Sequence, residues 1–278
     1  MSTAYLTRPL LAVALMLAGT AAWAESRCSE NTSSQPATLI CSYKTLSIDS
    51  GSAGKRKVVY QIPTGKAPAG GWPVAVLYHG SLATVNSFSY HSDMPFGAYH
   101  QGKLVRTLLD SGYAVLAPNA LTAKDAWQTN APEYANNYQQ SNDYLFFNNL
   151  FSAIATGKFG PLNKQRQYAG GMSSGGYNTS RMALSFPGKF KALAIQSASY
   201  ATCVGAPCDV PALPADHPPT LFVHGQADWV VPWTSMQPYH DRMLYQGLKT
   251  ALYTEPSGGH VWFASSPGQI LNWFNKHP

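Results

Sequence analysis

Short apolar runs alternate along this chain with stretches of helical periodicity. Residues 73–78 read Pro-Val-Ala-Val-Leu-Tyr, a continuous apolar run of the kind found in strands covered on both faces. Residues 113–117 and 192–196 repeat the pattern, and 166–169, 220–223 and 251–254 predict further short strands. Residues 57–63 alternate and predict an earlier strand that Pro63 ends. Between these runs, 102–110 places Leu104, Val105, Leu108 and Leu109 on one side of a helix, with Gly112 just past its end. A second helix, with Asn142 or Asp143 as its expected cap, carries Phe147, Leu150, Phe151 and Ile154 on one face. Residues 177–186, stopped by Pro187-Gly188, and residues 235–247 and 269–275 complete the helical set. Strands alternating with helices predict an α/β fold, a mostly parallel central sheet flanked by helices.

The remaining segments lack such periodicity. Residues 25–50 read as polar and irregular, 65–73 as a Pro/Gly loop, and 82–100 as a loop and helix start. Residues 119–141 form a long polar stretch in which Trp127, Tyr134 and Tyr138 stand among Asn and Gln, a length more often functional than idle. Residues 1–24 have the form of a secretory signal: Arg8, an apolar run over 10–17, and Ala22-Trp23-Ala24 before Glu25. The run is short for a bilayer span, and no later stretch is long and apolar enough, so integral membrane association is not expected. With no internal repeat or low-complexity linker, residues 25–278 are expected to form a single catalytic domain.

An exported chain changes the reading of its cysteines. Cys28, Cys41, Cys203 and Cys208 make an even count, expected to form two disulfides. Proximity favours Cys28 with Cys41 and Cys203 with Cys208, although three connectivities are open. The formal charge is +6, yet only 12% of residues are charged. No basic cluster exceeds Lys55-Arg56-Lys57, read as a solvated strand entrance. Such a surface, with 16 Tyr and 7 Trp, suits a neutral and partly apolar partner rather than nucleic acid.

The candidate chemistry centres on Gly171-Met172-Ser173-Ser174-Gly175-Gly176. This G-x-S-x-G pattern, between a predicted strand and a predicted helix, places a serine on a sharp turn with its hydroxyl over the sheet. A serine hydroxyl needs a base, and the base needs an orienting acid. Asp228, in His-Gly-x-x-Asp after the 220–223 strand, and His260, after Gly258-Gly259 beyond the last strand, supply them in the order Ser, Asp, His of the α/β-hydrolases. His224 competes for the base role but is expected to pack structurally beside Asp228. The oxyanion is expected to rest on the backbone N–H groups of Ser174 and Ser81, the latter from His79-Gly80-Ser81. There is no H-E-x-x-H, paired C-x-x-C, P-loop or dinucleotide fingerprint, so neither a metal nor a cofactor is expected.

With these residues in hand, the whole chain resembles the secreted medium-chain-length polyhydroxyalkanoate depolymerases of Pseudomonas-type bacteria. The likeness rests on the signal, the short serine box, the spacing to Asp228 and His260, and total length. Through Tyr78-His79-Gly80 and the Ser173 box it is similar, more broadly, to polyhydroxybutyrate depolymerases and to feruloyl or acetylxylan esterases. The resemblance implies hydrolysis of a water-insoluble storage polyester to oligomers and 3-hydroxyalkanoate monomers, with Ser173, Asp228 and His260 as nucleophile, acid and base. The chain lacks the Thr-rich linker and separate binding domain of the short-chain enzymes, so adsorption is expected to fall to the catalytic domain. Trp127, Tyr134, Tyr138, Trp229 and Trp233 are candidates to touch polymer. The alternatives are an esterase acting on soluble or plant-polysaccharide acyl esters, a short-chain polyhydroxybutyrate depolymerase, and a non-enzymatic binding protein on the same fold.

Overall fold

The computed structural model describes residues 1, 24–81, 87–121, 126–203 and 209–278. The proposed signal therefore lies almost wholly outside the described residues. Among the described residues no helix is long and apolar enough to cross a membrane.

An eight-stranded sheet organises the molecule. In chain order its strands are β3 (Lys44–Asp49), β4 (Lys55–Gln61), β5 (Trp72–Tyr78), β7 (Ala114–Pro118), β8 (Leu162–Met172), β9 (Ala192–Gln196), β10 (Thr220–Gly225) and β11 (Thr250–Glu255). Their spatial order is β11-β10-β9-β8-β5-β7-β4-β3. From β7 to β11 all neighbours are parallel, while β4 and β3 add antiparallel at one edge. Helices α1 (Ala98–Asp110), α2 (Asn142–Ala155), α3 (Ser174–Ser185), α4 (Trp233–Tyr245) and α5 (Ser266–Asn275) cover it.

The division of helices between faces follows from strand alternation. In β5, Ala75 and Leu77 pack with Leu104 and Leu108 of α1 and Phe274 of α5. Their neighbours Val74, Val76 and Tyr78 point the other way, against Phe147 and Leu150 of α2 and Met182 of α3. Phe222 of β10 meets Met236 and Tyr239 of α4 on that same second face. Strands buried on both faces explain the unbroken apolar runs at 73–78 and 192–195. The carboxyl ends of the parallel strands lie at one edge of the sheet, where loops carry function in open α/β folds.

Several expectations are corrected. Residues 25–50 are not irregular: β1 (Cys28–Asn31) and β2 (Thr38–Cys41) form an antiparallel pair, joined by β6 (Ser89–His91) in a separate three-stranded sheet, before β3 begins. These strands are short and largely half-exposed, so they leave little apolar alternation to read. Cys28 and Cys41 face each other across that pair and are disulfide-bonded. Cys203 is also disulfide-bonded, whereas Cys208 lies outside the described residues.

Arg56 is not part of a solvated entrance. The alternation of β4 turns it inward, and its guanidinium pairs with the Asp143 carboxylate at 2.7 Å with both side chains buried. That carboxylate also accepts the Gln128 N–H at 2.6 Å, so the pair ties β4 to the long 119–141 segment. Neither Asn142 nor Asp143 caps α2. Ser141 does, its hydroxyl accepting the Tyr144 N–H at 3.1 Å. Among its described residues the long segment holds three short 3₁₀ turns, at Gln128–Asn130, Pro132–Tyr134 and Tyr138–Gln140. The helix predicted over 102–110 begins earlier, at Ala98, after a left-handed Phe96-Gly97 pair.

Candidate active site

β8 ends at Met172 and α3 begins at Ser174, so Ser173 alone makes the turn. It has φ 56° and ψ −127°, a conformation that L residues rarely adopt. The Ser173 N–H is anchored on the Gln196 carbonyl at 3.0 Å. The flanking glycines are needed because backbone passes too close for a side chain. A Cβ on Gly171 would stand 2.5 Å from the Gly175 carbonyl oxygen, and one on Gly175 would stand 2.1 Å from that of Tyr78. The motif is thus the covalent condition for the turn to sit against β5.

Asp228 follows β10 and is buried. Its Oδ1 accepts the N–H groups of Val230 and Val231 at 3.0 and 2.9 Å, which aims the carboxylate. His260 follows β11 and is also buried. Its Nδ1 lies 2.9 Å from Oδ2 and 3.1 Å from Oδ1 of Asp228. A carboxylate only accepts, so Nδ1 carries the proton and Nε2 is left as the basic nitrogen. Burial pushes the Asp228 carboxyl upward, but the His260 hydrogen bond, the Val231 N–H and the charges of His260 and His224 outweigh it and hold the group below its usual 3.8. It therefore stays ionised at neutral pH.

His224 is fully buried in β10 and donates from Nε2 to the Val231 carbonyl at 2.8 Å. Burial lowers its pKa, against the Val231 bond and the nearby Asp228 charge. The ring holds the loop that aims Asp228, which matches the structural role expected of it.

Ser173 and His260 open into one cavity of about 520 Å³, together with Gly80, Ser81, Trp229 and Val230. Its other walls are mostly apolar, including Met94, Phe96, Met172 and Trp262. Gly80 packs against the serine, since a Cβ on it would meet the Ser173 Cβ at 3.5 Å. The buried His79 ring fixes this strand end: Nε2 accepts the Ala120 N–H at 3.0 Å, leaving Nδ1 to donate to the Gly80 carbonyl at 2.8 Å. Because the peptide is planar and trans, a held Gly80 carbonyl also sets the direction of the Ser81 N–H. The Ser174 N–H lies at the N-terminus of α3, where the helix dipole favours negative charge.

Sequence reasoning missed two supports. Ser174 donates its hydroxyl to Asn130 at 2.7 Å, which joins the first helical residue to the 119–141 segment. Gln196, fully buried at the end of β9, donates from Nε2 to the Val261 carbonyl at 2.7 Å and accepts from the Ser266 hydroxyl at 2.7 Å. A polar residue closing an apolar strand at 192–196 was the only available signal for it.

Of the aromatic candidates, Trp127 and Tyr138 are buried at 1% and 2% exposure and are unavailable to a polymer. The Trp127 indole donates to the His79 carbonyl at 2.9 Å, so its role is to support the strand end. Trp233 is half-buried edge-on to His224, and Tyr134 lines a separate groove beside Asn130. Trp229 is 82% exposed at the cavity mouth. Among the described residues there is no group of three or more His, Cys, Asp or Glu placed to hold a metal ion.

Comparison with known proteins places this geometry in context. No protein-family model matches the chain. It is 62% identical over 272 residues to a poly(3-hydroxyoctanoate) depolymerase of Pseudomonas fluorescens, covering 97% of this chain and 96% of that protein. Among solved structures, an S-formylglutathione hydrolase of Staphylococcus aureus superposes with a TM-score of 0.58 at 16% identity, over 90% of this chain and 97% of that one. A thermostable esterase superposes with a TM-score of 0.61 at 15% identity, over 84% of this chain and 62% of that one. At such identities the structural matches speak for the fold, which is that of the α/β-hydrolases.

Proposed function

The chain belongs to the medium-chain-length polyhydroxyalkanoate depolymerases, carboxylic ester hydrolases of the α/β-hydrolase superfamily, and on that premise we propose that it is a secreted serine hydrolase that cleaves medium-chain-length poly(3-hydroxyalkanoate) through an acyl-enzyme. The observation that carries the chemistry is the His260–Asp228 hydrogen bond beside a cavity that Ser173 shares with His260.

In this reading Ser173 Oγ attacks the ester carbonyl and passes its proton to His260 Nε2. Asp228, already ionised, stabilises the imidazolium and keeps Nδ1 protonated. The tetrahedral oxyanion rests on the N–H groups of Ser174 and Ser81. The imidazolium then protonates the departing oxygen, which is the 3-hydroxyl of the next repeat. Water, deprotonated by His260, releases the 3-hydroxyacyl group and restores the serine. No step calls for a metal or cofactor.

The apolar cavity suits the alkyl branch of such a repeat. Trp229, Val230 and Phe96, all exposed, form an apolar rim at its mouth and give the polymer surface a place to adsorb. Residues 25–278 then act as a single catalytic domain that itself meets the polymer. The 1–24 leader and the Cys28–Cys41 disulfide support export to an oxidising environment.

The deciding experiment is clearing of a poly(3-hydroxyoctanoate) latex by the mature chain and by Ser173→Ala, with product analysis. The wild type is expected to clear the latex and release 3-hydroxyoctanoate and its oligomers, and Ser173→Ala to release none. Undiminished clearing by the variant would overturn the mechanism. Turnover of feruloylated sugars but not of latex would overturn the substrate.

A further inference from the structure

Among the described residues three non-glycine residues have positive φ: Phe96, Ser173 and Ser197. Two of them belong to the serine turn. Ser173 makes it, and Ser197 follows Gln196, whose carbonyl holds the Ser173 N–H. Phe96 is the third, with φ 59° and ψ 23°. A bulky side chain is an outlier in this left-handed region, where its Cβ crowds the following carbonyl. Glycine would take the same angles without strain.

The conformation is held by the histidine loop. The Phe96 carbonyl accepts the Trp262 N–H at 2.8 Å. Gly97, also left-handed at φ 64°, lies against the same residue: a Cβ on it would stand 2.3 Å from the Trp262 carbonyl oxygen. Trp262 is two positions beyond His260, so the strained pair is docked where the base is carried. The Phe96 ring stands 6.1 Å from the His260 ring, centroid to centroid, at an interplanar angle of 82°. It lines the cavity that His260 shares with Ser173. Yet Phe96 is 52% exposed. Folding favours a phenylalanine that is buried, not one held half in solvent on a strained backbone. Strain of this kind concentrates at active sites and ligand clamps.

We propose that Phe96 is a specificity-determining residue: its left-handed backbone sets the ring as the cavity wall beside His260, where it packs against the alkyl branch of the acyl unit under attack and selects long apolar acyl groups over short ones. The inference rests on the hydrolase reading above and adds to it which side chain reads the branch. An acyl group bonded to Ser173 lies beside His260, which moves the protons of both half-reactions. Its reacting carbonyl is the same whatever the acyl group. Only the carbons beyond that carbonyl differ, and the gain from covering an aromatic ring grows with the apolar area covered. An octanoyl chain therefore profits from the ring where an acetyl group does not.

The test uses nitrophenyl octanoate and nitrophenyl acetate, both fully dissolved, so that adsorption at the cavity mouth plays no part. The readout is the ratio of kcat/KM for octanoate over acetate, which a general loss of folding or catalysis does not move. Phe96→Ala and Phe96→Gly are each expected to lower that ratio about tenfold. Phe96→Tyr keeps the ring and is expected to keep the ratio. Thermal melts read the backbone separately: Phe96→Gly is expected to melt higher than Phe96→Ala, since only alanine leaves a Cβ on left-handed backbone. An unchanged ratio in the alanine and glycine variants, or a tyrosine variant as impaired as they are, would overturn the proposal and leave the hydrolase reading standing. So would an alanine variant that melts as high as the glycine one. Turnover of either ester that survives Ser173→Ala would instead sink the hydrolase reading and this inference with it.

Discussion

The side-chain amide of Gln196 donates to the backbone carbonyl of Val261 at 2.7 Å. The backbone carbonyl of the same glutamine accepts the Ser173 N–H at 3.0 Å. One residue at the end of β9 therefore fixes both the serine turn and the loop that carries His260. Replacing it by Gln196→Leu strands the Val261 carbonyl and the buried Ser266 hydroxyl. The expected cost is about 3 kcal/mol of stability, measured by urea unfolding. With the histidine loop loosened, kcat on a soluble ester is expected to fall about tenfold while KM changes little. A fall in stability with kcat intact would limit Gln196 to a packing role.

Two glycines next to proposed catalytic residues are expected to behave in opposite ways. A Cβ on Gly175 would lie 2.1 Å from the Tyr78 carbonyl oxygen and 2.6 Å from that of His79, and neither atom can yield without moving β5. Gly175→Ala is expected to cost about 3 kcal/mol or more, or to give insoluble protein. Gly259 has nothing within 4 Å of the corresponding position. Gly259→Ala is expected to change stability by less than about 0.5 kcal/mol. Thermal melts of the two variants side by side check the pair.

The Asp228 carboxyl, held below 3.8, links stability to pH. With a lowered native pKa, the unfolded chain takes up the proton first as pH falls. The stability this group contributes is therefore complete above 3.8 and is lost as pH falls through the native value. The stability difference between wild type and Asp228→Asn is expected to shrink across that window, read from urea unfolding at successive pH values. A difference independent of pH would contradict the ionised pairing. At neutral pH the same variant is expected to lose about 10⁴ in kcat, because asparagine no longer enforces the Nδ1–H tautomer.

Trp229 is 82% exposed at the cavity mouth. Solvent already surrounds it, so Trp229→Ala is expected to leave the melting temperature within about 1 °C. Its loss removes a large apolar contact with a polymer surface, and latex clearing is expected to fall about tenfold. Turnover of a short soluble ester serves as the control and is expected to change less than clearing. Equal losses on both substrates would place the residue in the chemistry instead of in adsorption.

Strand–helix alternation, the serine box and the order Ser173, Asp228, His260 were legible in the chain because each is local. A buried strand needs an apolar run, and a tight turn needs glycine where backbone crosses backbone. The short strands β1–β3 were not legible, because partly exposed strands carry mixed residues. The inward turn of Arg56 toward Asp143 escaped for a different reason: a charged residue reads as solvated until its partner is known, and this partner lies 87 positions away.

The amino-acid sequence alone determined the class of fold, singled out the proposed serine, acid and base, and carried an apolar character suited to a neutral partner. The tertiary structure alone decided how these parts are held: Gln196 between serine and histidine loops, His79 setting the Ser81 peptide, and Trp127 and Tyr138 used in packing. The reason is physical. Periodicity and turn chemistry act between near neighbours in the chain, whereas the hydrogen bonds that orient a site join residues brought together only when the strands align.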